Sequence, residues 1–393
     1  MLARLRPDFS WRPTRTLVVY SSVWVAVAIL FLWSLGTQPA GLSPAELVTK
    51  QTSNLTALGN NVFYAPWRLM QDLFLHINPH SSFLMRLPSV IFGLSFLAVF
   101  YWLLAGWLGK PIAILSTALL GVTPLYLLLS RDGTPRVLNM SLLALVGGYV
   151  WITRSKGSAR AWIGFGLAIV LCLYVPGLIW FLLIGAAMKR RSIAAALRNG
   201  TARPGSIFLA CLLILLLPIV ITLVREPRLV RAYLLIPTHF GEPLQQLKNF
   251  GWMIWSLFIQ TGQHETLILG RLPILDAAQI GLMVFGGYVM WTRLKSPLYW
   301  LIGTVLLSCL LAGLNNNFYL LAISLPFLAI LVAMGLRYLF IEWVHIFPRN
   351  PLPRYFAITL MAAVVLIHVF YGVRYGLAAW PHSLAVNHLY VLK

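Results

Sequence analysis

The sequence predicts an all-α, polytopic transmembrane helix bundle, on three observations. The chain of 393 residues is 60% hydrophobic and only 10% charged, with a mean hydropathy of +0.82. A soluble domain carries roughly 45–50% apolar and about 25% charged residues, and a soluble globule of this length could not hide so much apolar surface. Next, the apolar residues gather in runs of about twenty, the length that crosses a bilayer core as a helix. Last, 30 Lys and Arg against 9 Asp and Glu give a net charge of +21, with the basic residues between the runs. There they set topology and meet anionic lipid headgroups, so membrane lipids, and not nucleic acid, are the expected partner of this charge.

The first run, Leu17–Leu35, follows a basic stretch that resembles a signal-peptide n-region, but the run is too long for an h-region and reads as a retained span. Gly36–Arg86 is too long for a simple connector. The runs Leu87–Leu108, Pro111–Leu129 and Val137–Ile152 come next. Ala161–Met188 is long for one helix and short for two, and Tyr174-Val175-Pro176-Gly177 breaks it in the middle. Gly205–Val224 precedes a second long segment, Arg225–Pro273. The last runs are Ile274–Trp291, Pro297–Ala312, Phe318–Leu339 and Tyr355–Tyr371.

Positive charge chooses between the two readings of Ala161–Met188. As a hairpin it puts 18 of the 30 basic residues on one face, which is then the cytoplasmic one; as a single span it splits them evenly. The expectation is therefore about eleven spans in a plasma membrane, N-terminus cytoplasmic and C-terminus extracytoplasmic, in one transmembrane domain without a separate soluble one. The two long segments, 36–86 and 225–273, then lie outside. Their mixture of aromatic, apolar and charged residues suits helices lying along the membrane surface. Cys172, Cys211 and Cys309 all fall inside apolar runs and read as small core hydrophobes.

The acids sort by face. Asp8 and Glu342 are inside, whereas Glu46, Asp72, Asp132, Glu226, Glu242, Glu265 and Asp276 are outside or at outer span ends. Acids contribute little to topology, so this bias points to chemistry on the outer face.

Four local patterns stand in order along the chain: Gly41-Leu42-Ser43-Pro44-Ala45-Glu46, Arg86-Leu87-Pro88-Ser89 followed by Gly93, Ser130-Arg131-Asp132-Gly133-Thr134-Pro135-Arg136, and Asn317-Phe318-Tyr319-Leu320 followed by Leu325-Pro326. Together they resemble the integral-membrane glycosyltransferases of the GT-C fold, in the branch that holds protein O-mannosyltransferases and the aminoarabinose transferase of lipid A. The chain departs from many relatives in carrying Arg136 where they have an acid after the Pro of the third pattern. The resemblance implies inverting transfer of a sugar from a polyprenyl-phosphate donor to a lipid, glycan or protein acceptor at the outer face.

Such a transfer needs a carboxylate to take the proton of the attacking hydroxyl or amine and fixed positive charge for the leaving phosphate. Glu46, at the family's acidic position and near the helix start marked by Ser43-Pro44, is the expected general base, or else only complements that helix end. Asp132 is the second candidate acid, and a boundary ion pair with Arg131 or Arg136 is its plainer role. Arg131, Arg136, Arg231 and Arg271 are candidate phosphate ligands, against snorkelling to lipid headgroups. Arg86 reads as an anchor at its span start. Tyr64, Tyr233 and Tyr319 are candidates for lining a sugar pocket, against membership of an interfacial aromatic belt. A divalent metal stays open, with His239 and His264 as weak candidate ligands; His368, mid-span, reads as hydrogen-bonded to a neighbouring helix.

The rival readings are a lipid or solute transporter or scramblase, and a non-catalytic scaffold for envelope assembly. Coupled transporters place ionisable groups in broken helices at mid-membrane depth, and here only His368 sits deep in a span.

Overall fold

The computed structural model describes residues 13–155, 158–199, 202–239, 241–262, 271–346 and 351–390. In chain order the helices are α1 (Pro13–Leu32), α2 (Pro44–Thr52), α3 (Leu55–Asn60), α4 (Ala65–Ile77), α5 (Ser82–Leu108), α6 (Lys110–Val122), α7 (Pro124–Leu129), α8 (Leu142–Arg154) and α9 (Ala159–Leu173). They continue as α10 (Leu178–Asn199), α11 (Ala202–Arg225), α12 (Arg228–Leu234), α13 (Pro243–Phe258), α14 (Ala277–Arg293), α15 (Lys295–Leu314), α16 (Leu325–Ile346), α17 (Pro351–Arg374) and α18 (Leu384–Leu389). Among the described residues five helical stretches are long and apolar enough to cross a membrane: Ser82–Leu108, Pro135–Arg154, Lys295–Leu314, Phe318–Trp343 and Tyr355–Ala379. Leu366, Ile367 and Phe370 of α17 are 65–68% exposed, as side chains against lipid are; the stretch around α16 is instead 89% buried and forms the centre.

Four expected runs are less regular than a plain span. Pro111–Leu129 divides into α6 and α7 because Pro124 lacks an N–H and pushes Thr123 out of the helical region. Short 3₁₀ turns, Pro135–Ser141 and Phe318–Ile323, lead into α8 and α16. The stretch Ala161–Met188 breaks into α9 and α10 at Tyr174–Gly177, where Gly177 sits at φ +83. The freed backbone groups are taken up by the two long segments, 36–86 and 225–273: Tyr64 N–H donates to the Tyr174 carbonyl and Gly177 N–H to the Tyr233 carbonyl, each at 2.8 Å. The break thus lies against both of those segments.

The long segments form α2–α4 and α12–α13, as their amphipathic patterns suggest. On α4, Leu69, Leu73 and Ile77 recur every fourth residue and are exposed, while Trp67 and Gln71 on the other side are fully buried. Such a helix has one face for the protein and one for the lipid interface. Helix starts are capped where the sequence offers an oxygen: Ser43, Asn54, Ser81, Ser158 and Asp276 each accept from a backbone N–H two or three residues into the helix.

The tightest helix pair is α14 with α16. A Cβ on Gly286 would stand 1.8 Å from the Leu331 carbonyl oxygen, and one on Gly335 1.8 Å from that of Leu282. Within a membrane small residues let backbones meet this closely, and packing then supplies the association energy. Gly335→Val should therefore cost about 3 kcal/mol, the upper end of overpacking, seen as a lower melting temperature in lipid–detergent micelles; an unchanged melt would show that the helices part at no cost.

His368 of α17 is buried between two helices. Its Nδ1 pairs with the Asp276 carboxylate, and its Nε2 lies 3.1 Å from the Leu119 carbonyl oxygen. Gln279 completes the group by donating to the Thr123 hydroxyl at 2.9 Å. The lone mid-span histidine is thus a helix-to-helix polar contact.

Candidate active site

The four patterns that lie far apart in sequence meet at one place. Ser43 and Glu46 open α2 with a reciprocal capping box: Glu46 N–H donates to Ser43 Oγ (3.2 Å) and Ser43 N–H to Glu46 Oε2 (2.9 Å). Glu46 is fully buried. Arg86, on the first turns of α5, donates from Nε to Glu46 Oε1 (2.8 Å) and from Nη2 to Oε2 (3.2 Å). Gly133 N–H adds a further bond to Oε1 at 2.9 Å, and a Cβ on Gly133 would stand 2.8 Å from that oxygen. The remaining Arg86 hydrogens go to the carbonyls of Leu35, Pro39 and Gly41.

Both groups are therefore saturated. A carboxylate offers about four lone-pair sites and a guanidinium five N–H donors, and here all are committed. Arg86, expected to anchor its span start, is thus turned inward to Glu46, and all four lone-pair sites of Glu46 accept hydrogen bonds in this arrangement. Ser89, the last residue of the same motif, accepts from Trp67 Nε1 (3.0 Å) and donates to the Thr134 carbonyl (3.1 Å). Fully buried Gln71 donates to the Met85 and Gly133 carbonyls. The second pattern thus fixes the backbone of the third.

That third pattern, 130–136, carries the reactive groups into a cavity of about 170 Å³ lined by Gln38, Pro39, Ser43, Pro44, Ala45, Glu46, Arg86, Leu128, Arg131, Asp132, Arg136, Tyr319, Trp380, Leu389 and Tyr390. Asp132 Oδ2 accepts from the Thr134 hydroxyl and lies 3.5 Å from Arg136 Nη1; Oδ1 has no partner among the described residues. Burial, reinforced by the charge of Glu46 and opposed by Arg136, Thr134 and Arg86, pushes the Asp132 carboxyl up to about 6. Arg131 is 7% exposed. It donates to the carbonyls of Leu30 (2.8 Å) and Trp33 (2.7 Å) at the end of α1. Burial, with Arg86 nearby, lowers it to about 10, so it stays charged at neutral pH, yet no carboxylate pairs with it among the described residues. Arg136 lies 3.5 Å above the centre of the Tyr319 ring, and Asn139 donates to the Tyr319 carbonyl at 3.1 Å, which joins the third pattern to the fourth.

The other candidates fall elsewhere. Tyr64 is the left-handed residue (φ 60) before α4; it lies outside the cavity lining, and burial, opposed by the charges of Arg136 and Arg68, pushes its hydroxyl up to about 12. Arg231 and Arg271 are exposed and do not line the cavity. Both belong to the second long segment, 225–273, whose described helices turn other residues inward. His239 is exposed as well, and His264 lies outside the described residues. Among the described residues no three His, Cys, Asp or Glu side chains gather as metal ligands; Glu46, with every lone pair taken, does not fit a cation. The sequence reading missed Trp380, Leu389 and Tyr390, which follow the last apolar run and fold back over the cavity.

This arrangement is a polar cavity at the end of a membrane helix bundle, with paired acids and arginines. The chain is a multi-pass membrane protein of the GT-C fold. It is similar to two crystal structures of ArnT from Cupriavidus metallidurans. The one bound to undecaprenyl phosphate matches with a TM-score of 0.55 at 13% identity, covering 97% of this chain and 77% of that one. The apo structure matches with a TM-score of 0.52 at 12% identity, covering 96% and 78%. Residues 64–224 match the family described as dolichyl-phosphate-mannose-protein mannosyltransferase. No curated protein matches the chain in sequence.

Proposed function

We propose that the protein is a glycosyltransferase that moves a sugar from a polyprenyl-phosphate donor to an acceptor hydroxyl or amine at the outer face of the membrane. The observation that carries this reading is the pairing, in one cavity, of a buried arginine, Arg131, with a carboxylate, Asp132, the first lacking a counter-ion and the second keeping a free oxygen among the described residues. A buried cation without a partner is costly, and a phosphate supplies the missing charge and a geometry that guanidinium matches. The ArnT structure with undecaprenyl phosphate and the mannosyltransferase-family match support a phosphate-headed lipid as that partner.

In this reading Asp132, and not Glu46, is the base. Its Oδ1 takes the acceptor proton as the acceptor's oxygen or nitrogen attacks the anomeric carbon. The bond from that carbon to the phosphate oxygen breaks, and the electron pair leaves with the polyprenyl phosphate, which Arg131 and Arg136 stabilise. Attack from the face opposite the phosphate inverts the anomeric centre. Asp132 then returns its proton to water. The Glu46–Arg86 pair holds the 131–136 backbone in place.

Arg131→Gln should weaken undecaprenyl phosphate binding about 10–100-fold, the range for losing a hydrogen bond to a charged group, in protein reconstituted into nanodiscs. Wild-type affinity in the variant, or no transfer by the wild type from any polyprenyl-phosphate sugar, would overturn the reading.

A further inference from the structure

Part of the cavity wall comes from the segment after α17. The backbone widens into one π-helical turn, Tyr375–Ala379, and returns through α18, which brings Trp380, Leu389 and Tyr390 to the same cavity as the acids and arginines. Tyr390 is held in place: its ring centre lies 5.7 Å from the Arg86 guanidinium carbon, and Trp380 meets it edge-on at 5.9 Å and 84°. Trp380 is 7% exposed, and its indole Nε1, itself buried, has no hydrogen-bond partner among the described residues.

An indole N–H can only donate, and buried donors in native proteins are rarely left unpaired. The tryptophan of the first outer segment shows the contrast, since Trp67 donates to Ser89 at 3.0 Å. The group that would satisfy Trp380 is an acceptor brought into the cavity. The arginines there draw an anion, and an anionic oxygen is a stronger acceptor than a hydroxyl.

We propose that Trp380 positions the donor: its Nε1–H donates to a phosphate oxygen of the polyprenyl-phosphate headgroup. This deepens the glycosyltransferase reading and rests on it. In the same step the edge-on contact with Tyr390 keeps the indole fixed, so little ordering is needed when the headgroup arrives.

Trp380→Phe removes the N–H and keeps an aromatic ring against Tyr390. In nanodiscs, affinity for undecaprenyl phosphate should fall about tenfold and that for undecaprenol should not change. KM for the sugar donor should rise by a similar factor with kcat nearly constant. Without ligand the variant should melt at the wild-type temperature or above it, since it has lost an unpaired donor. Unchanged phosphate affinity would overturn the proposal, and so would an equal loss for phosphate and alcohol, which would make the ring a wall for the lipid tail only. Wild-type protein that binds the phosphate no better than the alcohol would instead sink the glycosyltransferase reading. If the Phe variant fails to fold, the indole ¹⁵N–¹H resonances of the wild type decide: one should move downfield with undecaprenyl phosphate and stay put with undecaprenol, and no movement overturns the assignment.

Discussion

Asp132→Asn should lower sugar transfer by about 10²–10⁴-fold, the usual contribution of a positioned general base, while donor-lipid affinity stays within a factor of a few. The wild-type profile of kcat/KM should rise with pH through about 6 and level off above it, because Asp132 must be ionised to accept a proton and burial has pushed its carboxyl up to about 6. The sign of the stability effect is opposite to that of the activity. A carboxyl raised from its ordinary 3.8 to about 6 holds its proton more tightly in the folded chain than in the unfolded one. Its contribution to stability is therefore present in acid and lost as the pH rises from about 4 to about 6. At pH 7.5 the wild type carries the disfavoured charge, so the Asn variant should melt at the same temperature or higher. An inactive protein of undiminished stability is the expected result. Full transfer in the variant, with an unaltered pH profile, would remove Asp132 as the base.

The sequence shows the fold's class through lipid-length apolar runs, and the site through four short patterns, because both are local signals. The roles inside the site are less legible. The acidic position of the first pattern draws attention to Glu46, but whether a carboxylate is free or saturated depends on donors contributed from 40 and 87 positions away, Arg86 and Gly133. Arg86 illustrates the same limit from the other side. An arginine at a span start ordinarily anchors to headgroups, and only the close packing of α5 against the carbonyls of Leu35, Pro39 and Gly41 turns it inward. Arg231 and Arg271 match Arg131 in residue type and expected face, and differ in that the fold buries Arg131 beside the cavity and leaves the other two exposed. Trp380 and Tyr390 carry no motif. The one hint was their place beyond the last span, on the side where the acids gather.

Glu46→Gln should destabilise the protein by roughly 3–5 kcal/mol, the cost of breaking a buried ion pair by removing one partner. Four N–H groups converge on the carboxylate: Arg86 Nε and Nη2, Ser43 N and Gly133 N. A glutamine presents one oxygen and an NH₂, so at least two of these donors would face another donor, and Arg86 would remain charged and buried without a counter-ion. The loss should appear as a melting temperature lowered by several degrees or more. Because Gly133 lies next to Asp132, the variant should also loosen the reactive loop. Transfer per folded molecule should then fall far less than in Asp132→Asn, and the rise in activity near pH 6 should persist. This is where the two carboxylates part company. A Glu46→Gln protein that melts like the wild type but transfers no sugar would mean that the saturated carboxylate frees itself during turnover, and the role of base would pass back from Asp132 to Glu46.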